Sequence, residues 1–138
     1  MPRLLAIDYG TKRCGIAVSD PLQIIANGLT TVHAKDLLTY LETYLQKEAV
    51  ELIIVGEPKN LNGQATDATE YVNAFVKQLK KKFPTIKIAR IDERFTSKMA
   101  FQTMVDAGLK KKARQNKELV DQISATIILQ SYMASNAK

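Results

Sequence analysis

The chain has 138 residues, 46% of them hydrophobic and 25% charged, with four Pro and six Gly, a globular composition long enough to build one core without staples. A single cysteine, Cys14, excludes an internal disulfide framework and a cysteine-based zinc cluster, and suits a reducing compartment. The net charge is +6, but residues 77–117 hold 13 of the 20 Lys/Arg and 3 of the 14 Asp/Glu, a local net of +10 against −4 elsewhere. Such asymmetry is a footprint for a polyanion, although a solvated helix face followed by a basic loop gives the same count.

Taken in chain order, the apolar run Leu4–Ile7 is stopped by Asp8, so it is too short for a signal peptide. No stretch approaches a membrane span, and the expectation is a cytoplasmic protein with no membrane partner. Arg3–Asp8 reads as a buried strand, Gly10–Arg13 as a turn and Gly15–Ser19 as a second strand, the close spacing favouring an antiparallel hairpin. Residues 23–32 form a weaker third strand with a bend expected at Asn27-Gly28. Leu37, Leu38, Leu41, Tyr44 and Leu45 recur at helical spacing between Asp36 and Lys47. The continuous apolar run in Glu51–Gly56 predicts a central strand covered on both faces.

After a loop at Pro58–Gly63, a helix is predicted from about Gln64 to Lys82 with an apolar stripe of Ala68, Tyr71, Val72, Phe75, Val76 and Leu79. Ile86–Ile91 is a fifth strand, and Thr96 or Ser97 can cap a helix that runs to about Ala107 and stops at Gly108. Lys110–Lys117 is a basic loop, and the last helix spans Glu118 to about Ser135. This order predicts one α/β domain over residues 1–138. Its five-stranded mixed sheet has a three-strand antiparallel meander plus parallel strands, with helices on both faces.

Three acids stand out against this pattern. Asp8 ends the first strand, Glu93 follows the fifth, and Asp121 lies one turn into the last helix among Val120, Ile123, Ala125 and Ile128, where Asp is a poor interior residue. Converging carboxylates repel unless a cation sits among them, and hard oxygen donors select Mg²⁺ or Mn²⁺. Two such ions about 4 Å apart would serve hydrolysis of a phosphodiester. Each acid also has a plainer reading: Asp8 in an Asx-turn, Glu93 paired with Arg94, Asp121 opposing Lys117. His33 and Cys14 are single and read as a loop or strand-edge residue and a small buried one.

The wording around the acids is more specific. Asp8-Tyr9-Gly10-Thr11-Lys12-Arg13-Cys14-Gly15-Ile16-Ala17 resembles the D-x-G-x-K-R-x-G-x-A opening of the YqgF (RuvX) family, the Holliday-junction-resolvase-like proteins also described as candidate pre-16S rRNA nucleases. Val55-Gly56-Glu57-Pro58 through Gly63 resembles its V-G-x-P-x-x-x-x-G loop, and Asp92-Glu93-Arg94-Phe95-Thr96-Ser97 with Ala100 its D-E-R-x-[TS]-[TS]-x-x-A motif. Lys117, Val120-Asp121, Ala125 and Ile128-Leu129 resemble the closing K-x-x-x-D-x-x-A-A-x-x-I-L pattern. Glu57, where an apolar residue is common, and Thr126, in the second small position, depart from it; Glu57 is either a fourth acidic ligand or a partner for Lys59.

The resemblance implies a ribonuclease H-like fold, a nuclease with Asp8, Glu93 and Asp121 as catalytic, metal-binding acids, and Mg²⁺ or Mn²⁺ as cofactor. Its substrate would be structured RNA, with ribosome association open, or branched DNA. Gly10, Thr11, Lys12, Arg13, Arg94, Lys110, Lys111, Lys112, Arg114 and Lys117 are then the candidate phosphate contacts, the two glycines Gly10 and Gly15 allowing close backbone approach. Symmetric junction cutting would need two sites side by side, and the sequence leaves monomer or weak homodimer open. Two rivals remain. A non-catalytic RNA-binding or ribosome-assembly factor would keep the basic stretch without needing the acids to meet. An ATP-binding phosphotransferase shares the Asp8-Tyr9-Gly10-Thr11 pattern but normally closes two such domains on its nucleotide.

Overall fold

The structure, a computed structural model, describes residues 2–57, 67–92 and 117–135. Strands β1 (Arg3–Asp8), β2 (Arg13–Ser19), β3 (Ala26–His33), β4 (Val50–Glu57) and β5 (Lys87–Asp92) form one five-stranded sheet in the order β3-β2-β1-β4-β5. β1, β2 and β3 run antiparallel in the predicted meander, while β1, β4 and β5 are parallel. Three α-helices belong to the described residues: α1 (Leu37–Lys47), preceded by a 3-10 turn at Ala34–Asp36, α2 (Asp67–Lys82) and α3 (Lys117–Ser135).

Side chains alternate across a strand, so each strand feeds two cores. Leu5, Ile7, Ile16, Val18, Ile53 and Val55 pack with Leu37 and Leu41 of α1 and with Val72, Phe75, Val76 and Leu79 of α2. The opposite parity, Leu4, Ala6, Ala17 and Ile54, packs with Ala125, Ile128 and Leu129 of α3. Each fully buried Leu or Ile contributes roughly 1.5–3 kcal/mol relative to exposure, and Leu5, Ile7, Ile16, Ile53, Ile54, Ile128 and Leu129 are all under 2% exposed. The sheet is thus clamped from both sides, which explains the unbroken apolar runs of β1 and β4.

Two local expectations are corrected. The third strand begins at Ala26, not near residue 23, because the Asp20 carboxylate accepts the backbone N–H groups of Leu22, Ile24 and Ile25 at 3.1, 2.7 and 2.7 Å. That holds residues 20–25 in a closed turn with Gln23 at φ 59° and leaves Leu22, Ile24 and Ile25 exposed. Tyr71, assigned to the apolar stripe of α2, is 58% exposed, because the buried line runs through Thr69, Val72, Phe75, Val76 and Leu79. The bend expected at Asn27-Gly28 has a counterpart: the β2–β3 register passes from Ile16↔Thr30 to Ala17↔Gly28, so Leu29 is left over as a bulge.

Candidate active site

Asp8 is the last residue of β1 and shares the parity of Leu4 and Ala6, which places it on the α3 face at the carboxyl end of the strand. Its partner across the β1–β2 ladder is Gly15. A Cβ on Gly15 would collide with the backbone carbonyl of Asp121 and come within 3.1 Å of its Cβ, so α3 lies directly on β2 at this point. Asp121 continues the sheet-facing stripe of α3, one turn before Ala125 and two before Ile128. Gly15 is therefore the spacer that lets the two acids flank it. The space reserved at Gly15 for a phosphate is taken by the helix.

The same geometry repeats one strand out. A Cβ on Gly28 would meet Thr126 Oγ1 at an ordinary 3.4 Å, and the Thr126 hydroxyl donates back to the Gln122 carbonyl at 2.8 Å. The larger residue at the second small position is accommodated because its hydroxyl is satisfied within the helix.

Arg13, the first residue of β2, shares the face of Gly15 and closes the site. Its Nε donates to Asp121 Oδ2 at 2.8 Å, between side chains 36% and 19% exposed. Asp121 thus takes a partner 108 residues away in sequence. Gly10 is needed for the turn itself, since a Cβ there would strike the Arg13 carbonyl. Thr11 and Lys12 are exposed at the tip of the same turn, where the Lys12 carbonyl accepts from Ala34 N–H at 2.9 Å.

Beneath the turn, on the opposite face, Cys14 is fully buried with its thiol donating to the Gly10 carbonyl at 3.4 Å. Burial pushes this thiol up to about 11; the Gly10 contact opposes the shift, and the charges of Asp8 and Asp121 add to it. A thiol so placed stays protonated and is no nucleophile. Tyr9 stacks on Phe75 of α2 at a ring separation of 4.6 Å, and burial raises its phenol as well. This stack anchors the residue between Asp8 and Gly10.

Glu57 and Asp92 are register partners at the ends of β4 and β5, and their parity matches Val55 and Arg90. Arg90 reaches Asn73 of α2 at 3.1 Å, so that parity belongs to the α2 face. Glu57 and Asp8 thus stand on opposite faces of the sheet, which favours a local role for Glu57. Asp92, the first residue of the D-E-R motif, carries no sign in the sequence that it stands beside Glu57, because that follows from strand register alone. Among the described residues no group of three His, Cys, Asp or Glu side chains is close enough to hold a metal. The predicted third acid, Glu93, lies outside the described residues, as do Arg94, Lys110, Lys111, Lys112 and Arg114. The backbone of Lys117 begins α3. His33 ends the edge strand β3, where its Nδ1 accepts from Lys35 N–H at 3.3 Å.

A family model named RuvX, described as Holliday junction resolvase, matches residues 2–135. The chain belongs to the RuvX family. Among its relatives, a Flavobacterium psychrophilum protein is 58% identical over 133 residues, covering 96% of this chain and 97% of that one. A Phocaeicola vulgatus protein is 60% identical over 135 residues, covering 98% and 97%. Both carry the name of a candidate pre-16S rRNA nuclease. Among solved structures, the Fowlpox virus resolvase in complex with Holliday junction DNA superposes with a TM-score of 0.64 at 13% identity, covering 99% of both chains. Thermus thermophilus RuvC in complex with a Holliday junction substrate gives 0.58 at 15% identity, covering 99% and 97%. The fold of the RuvX chain is accordingly the ribonuclease H-like fold of the resolvases, as expected from its motifs. No helix among the described residues is long and apolar enough to cross a membrane.

Proposed function

We propose that this RuvX protein is a metal-dependent nuclease that hydrolyses phosphodiester bonds in structured nucleic acid, with Asp8, Glu93 and Asp121 as its acids and pre-16S rRNA as its substrate. The observation that carries the reading is the convergence of Asp8 and Asp121 across Gly15, at the carboxyl end of a central strand. Two acids whose backbones flank a side chain-free position bring like charges together, and Asp121 holds the Arg13 guanidinium there. Such a donor set of hard oxygens with a demand for positive charge fits Mg²⁺ or Mn²⁺ and does not fit zinc or copper. Glu93, next in the chain after β5, is proposed as the third oxygen donor.

A divalent ion held by Asp8, Asp121 and Glu93 would supply an activated water and charge stabilisation for the leaving oxygen of a phosphodiester, whether one ion or two take part. The chain's own residues do the rest. Asp8 and Asp121 supply oxygens from two rigid elements, and Gly15 sets their spacing. Arg13 and Lys12 stand at the same turn and can hold a phosphate, Arg in a bidentate manner. Arg94 and the run Lys110, Lys111, Lys112, Arg114 and Lys117 would add contacts that follow the backbone without reading bases. Cys14 and Tyr9 act as a packed floor and do not enter the chemistry.

The ribosomal RNA substrate is favoured by relatives 50–60% identical over nearly the whole chain that are named for it. The family description points to four-way DNA junctions instead. We place the protein in the cytoplasm, where a ribosomal RNA precursor and a reduced single thiol both belong. The deciding experiment is a cleavage panel with pre-16S rRNA ends and four-way junctions side by side, in Mg²⁺ and in Mn²⁺. Wild type should cut the RNA, and Asp8→Asn and Asp121→Asn should each lose at least about a hundredfold in rate. If wild type binds the RNA and cuts neither substrate with either ion, the protein is a binding or assembly factor.

A further inference from the structure

We infer that Arg13 is the site's own counter-cation: in the metal-free protein its guanidinium occupies Asp121 and competes with a divalent ion for that carboxylate. This rests on the reading of Asp8 and Asp121 as metal-binding acids and adds how the site is kept neutral and how it is loaded.

Three features of the geometry carry it. The acids cannot relieve their repulsion by separating, because Asp8 is fixed by its β1–β2 pairing with Gly15 and Asp121 by the contact of its backbone with the same glycine. Positive charge beside them lowers the cost of that proximity. Arg13 is two residues before Gly15 on the same strand, hence on the same face, and its Nε lies 2.8 Å from Asp121 Oδ2. The arrangement also leaves Arg13 a way out. Its side chain is 36% exposed, nearly twice the 19% of Asp121, and it stands beside the exposed Thr11 and Lys12.

A guanidinium and a hard divalent cation want the same oxygens, and the ion with two charges and short oxygen bonds displaces a guanidinium held through its Nε. The displaced guanidinium, at the exposed turn with Thr11 and Lys12, is then available to a phosphodiester, a partner Arg holds in a bidentate manner. Loading and substrate binding become linked: an anion that draws Arg13 away from Asp121 raises the affinity for the ion, and the ion frees Arg13 for the anion. A purely positioning role, in which Arg13 merely aims Asp121, predicts the opposite sign, since its loss would then loosen the metal.

The test is a Mn²⁺ titration of the full chain without nucleic acid at low ionic strength, followed by the electron paramagnetic resonance of free Mn²⁺ and by the metal-induced rise in Tm. Arg13→Gln should bind Mn²⁺ on the order of tenfold more tightly than wild type and show a larger rise in Tm. Arg13→Lys should stay within about threefold of wild type, because it keeps the charge. In an Asp121→Asn background the Arg13→Gln effect should shrink below about twofold, as expected of a direct pair. Arg13→Met keeps the aliphatic stem and repeats the measurement should Gln disturb packing. Wild-type binding with equal or weaker binding by both neutral variants overturns the inference and leaves the metal site standing. Absence of Mn²⁺ binding in wild type and variants alike overturns both.

Discussion

Asp8, on β1, and Asp121, on the helix packed over it, lie at one face of the sheet, yet their neutral variants should differ in the sign of their effect on the fold. Asp8→Asn removes one of two carboxylates flanking Gly15, so the melting temperature of the metal-free protein should hold or rise slightly. Asp121→Asn instead weakens the half-buried ion pair with Arg13 and should destabilise by roughly 1 kcal/mol. Thermal melts in chelator read both; a large loss for Asp8→Asn would make that residue a turn former. Cys14 provides a second check at this scale. Its folded thiol titrates near 11, above the value of an unfolded thiol. The native state therefore holds its proton more tightly, and the contribution is complete at neutral pH and falls as pH rises from about 9 through 11. Urea titrations should show wild type losing stability across that window and Cys14→Ala losing less, and native Cys14 should resist alkylation at pH 8.

The elements explain why the acids meet at all. α3 crosses β2 where Gly15 offers no side chain, and crosses β3 where Gly28 offers none. The two contacts differ in tightness, so they should differ in cost. Gly15→Ala drives a methyl into the Asp121 carbonyl and must lift the start of α3, at roughly 2 kcal/mol or more, with Mn²⁺ affinity falling alongside. Gly28→Ala meets the Thr126 hydroxyl at 3.4 Å and the Gln122 side chain at 3.5 Å, both ordinary contacts, and should stay within about 1 kcal/mol of wild type. Equal costs in chemical denaturation would remove Gly15 from its role as spacer. Neither role can be read from spacing, because it depends on which helix lies over which strand. The helices and strands themselves are legible in the sequence: apolar periodicity and unbroken apolar runs place β1, β2, β4, α1 and α2 close to where they fold. What escapes is local polar chemistry, as at Asp20, whose side chain takes three backbone N–H groups and delays β3 to Ala26.

At the scale of the whole molecule, the site is legible in a different way from the fold. Asp8 and Asp121 are marked in the sequence by their motif surroundings, and the structure brings them to one glycine, but nothing in the motif marks Arg13 as the partner of Asp121. The turn Gly10–Arg13 reads as a phosphate loop, and only the packing of α3 on β2 shows that Arg13 serves a carboxylate first. Charge is arranged on the same large scale. The excess of ten positive charges in residues 77–117 is only partly offset by a net of −4 elsewhere, to which Asp8 and Asp121 contribute.

That separation bears on how a nucleic acid would be held, and it yields a prediction independent of cleavage. A chain that binds through phosphates alone releases counterions in proportion to the charges it neutralises, so log affinity falls with log salt by about 0.7 to 0.9 per contact. Lys110, Lys111 and Lys112 carry three of the charges in the basic stretch and have no aromatic neighbour in the run for stacking on bases. Replacing all three by Gln should reduce the salt slope by about 2 to 3 and weaken binding similarly for any sequence of one shape. Arg13→Gln should lower the slope by about 1 or less, because in the resting protein that charge is already engaged with Asp121. A triple variant with the slope of wild type would move the nucleic acid off this stretch, leaving Lys12 and Arg13 as the contacts that remain beside Asp8.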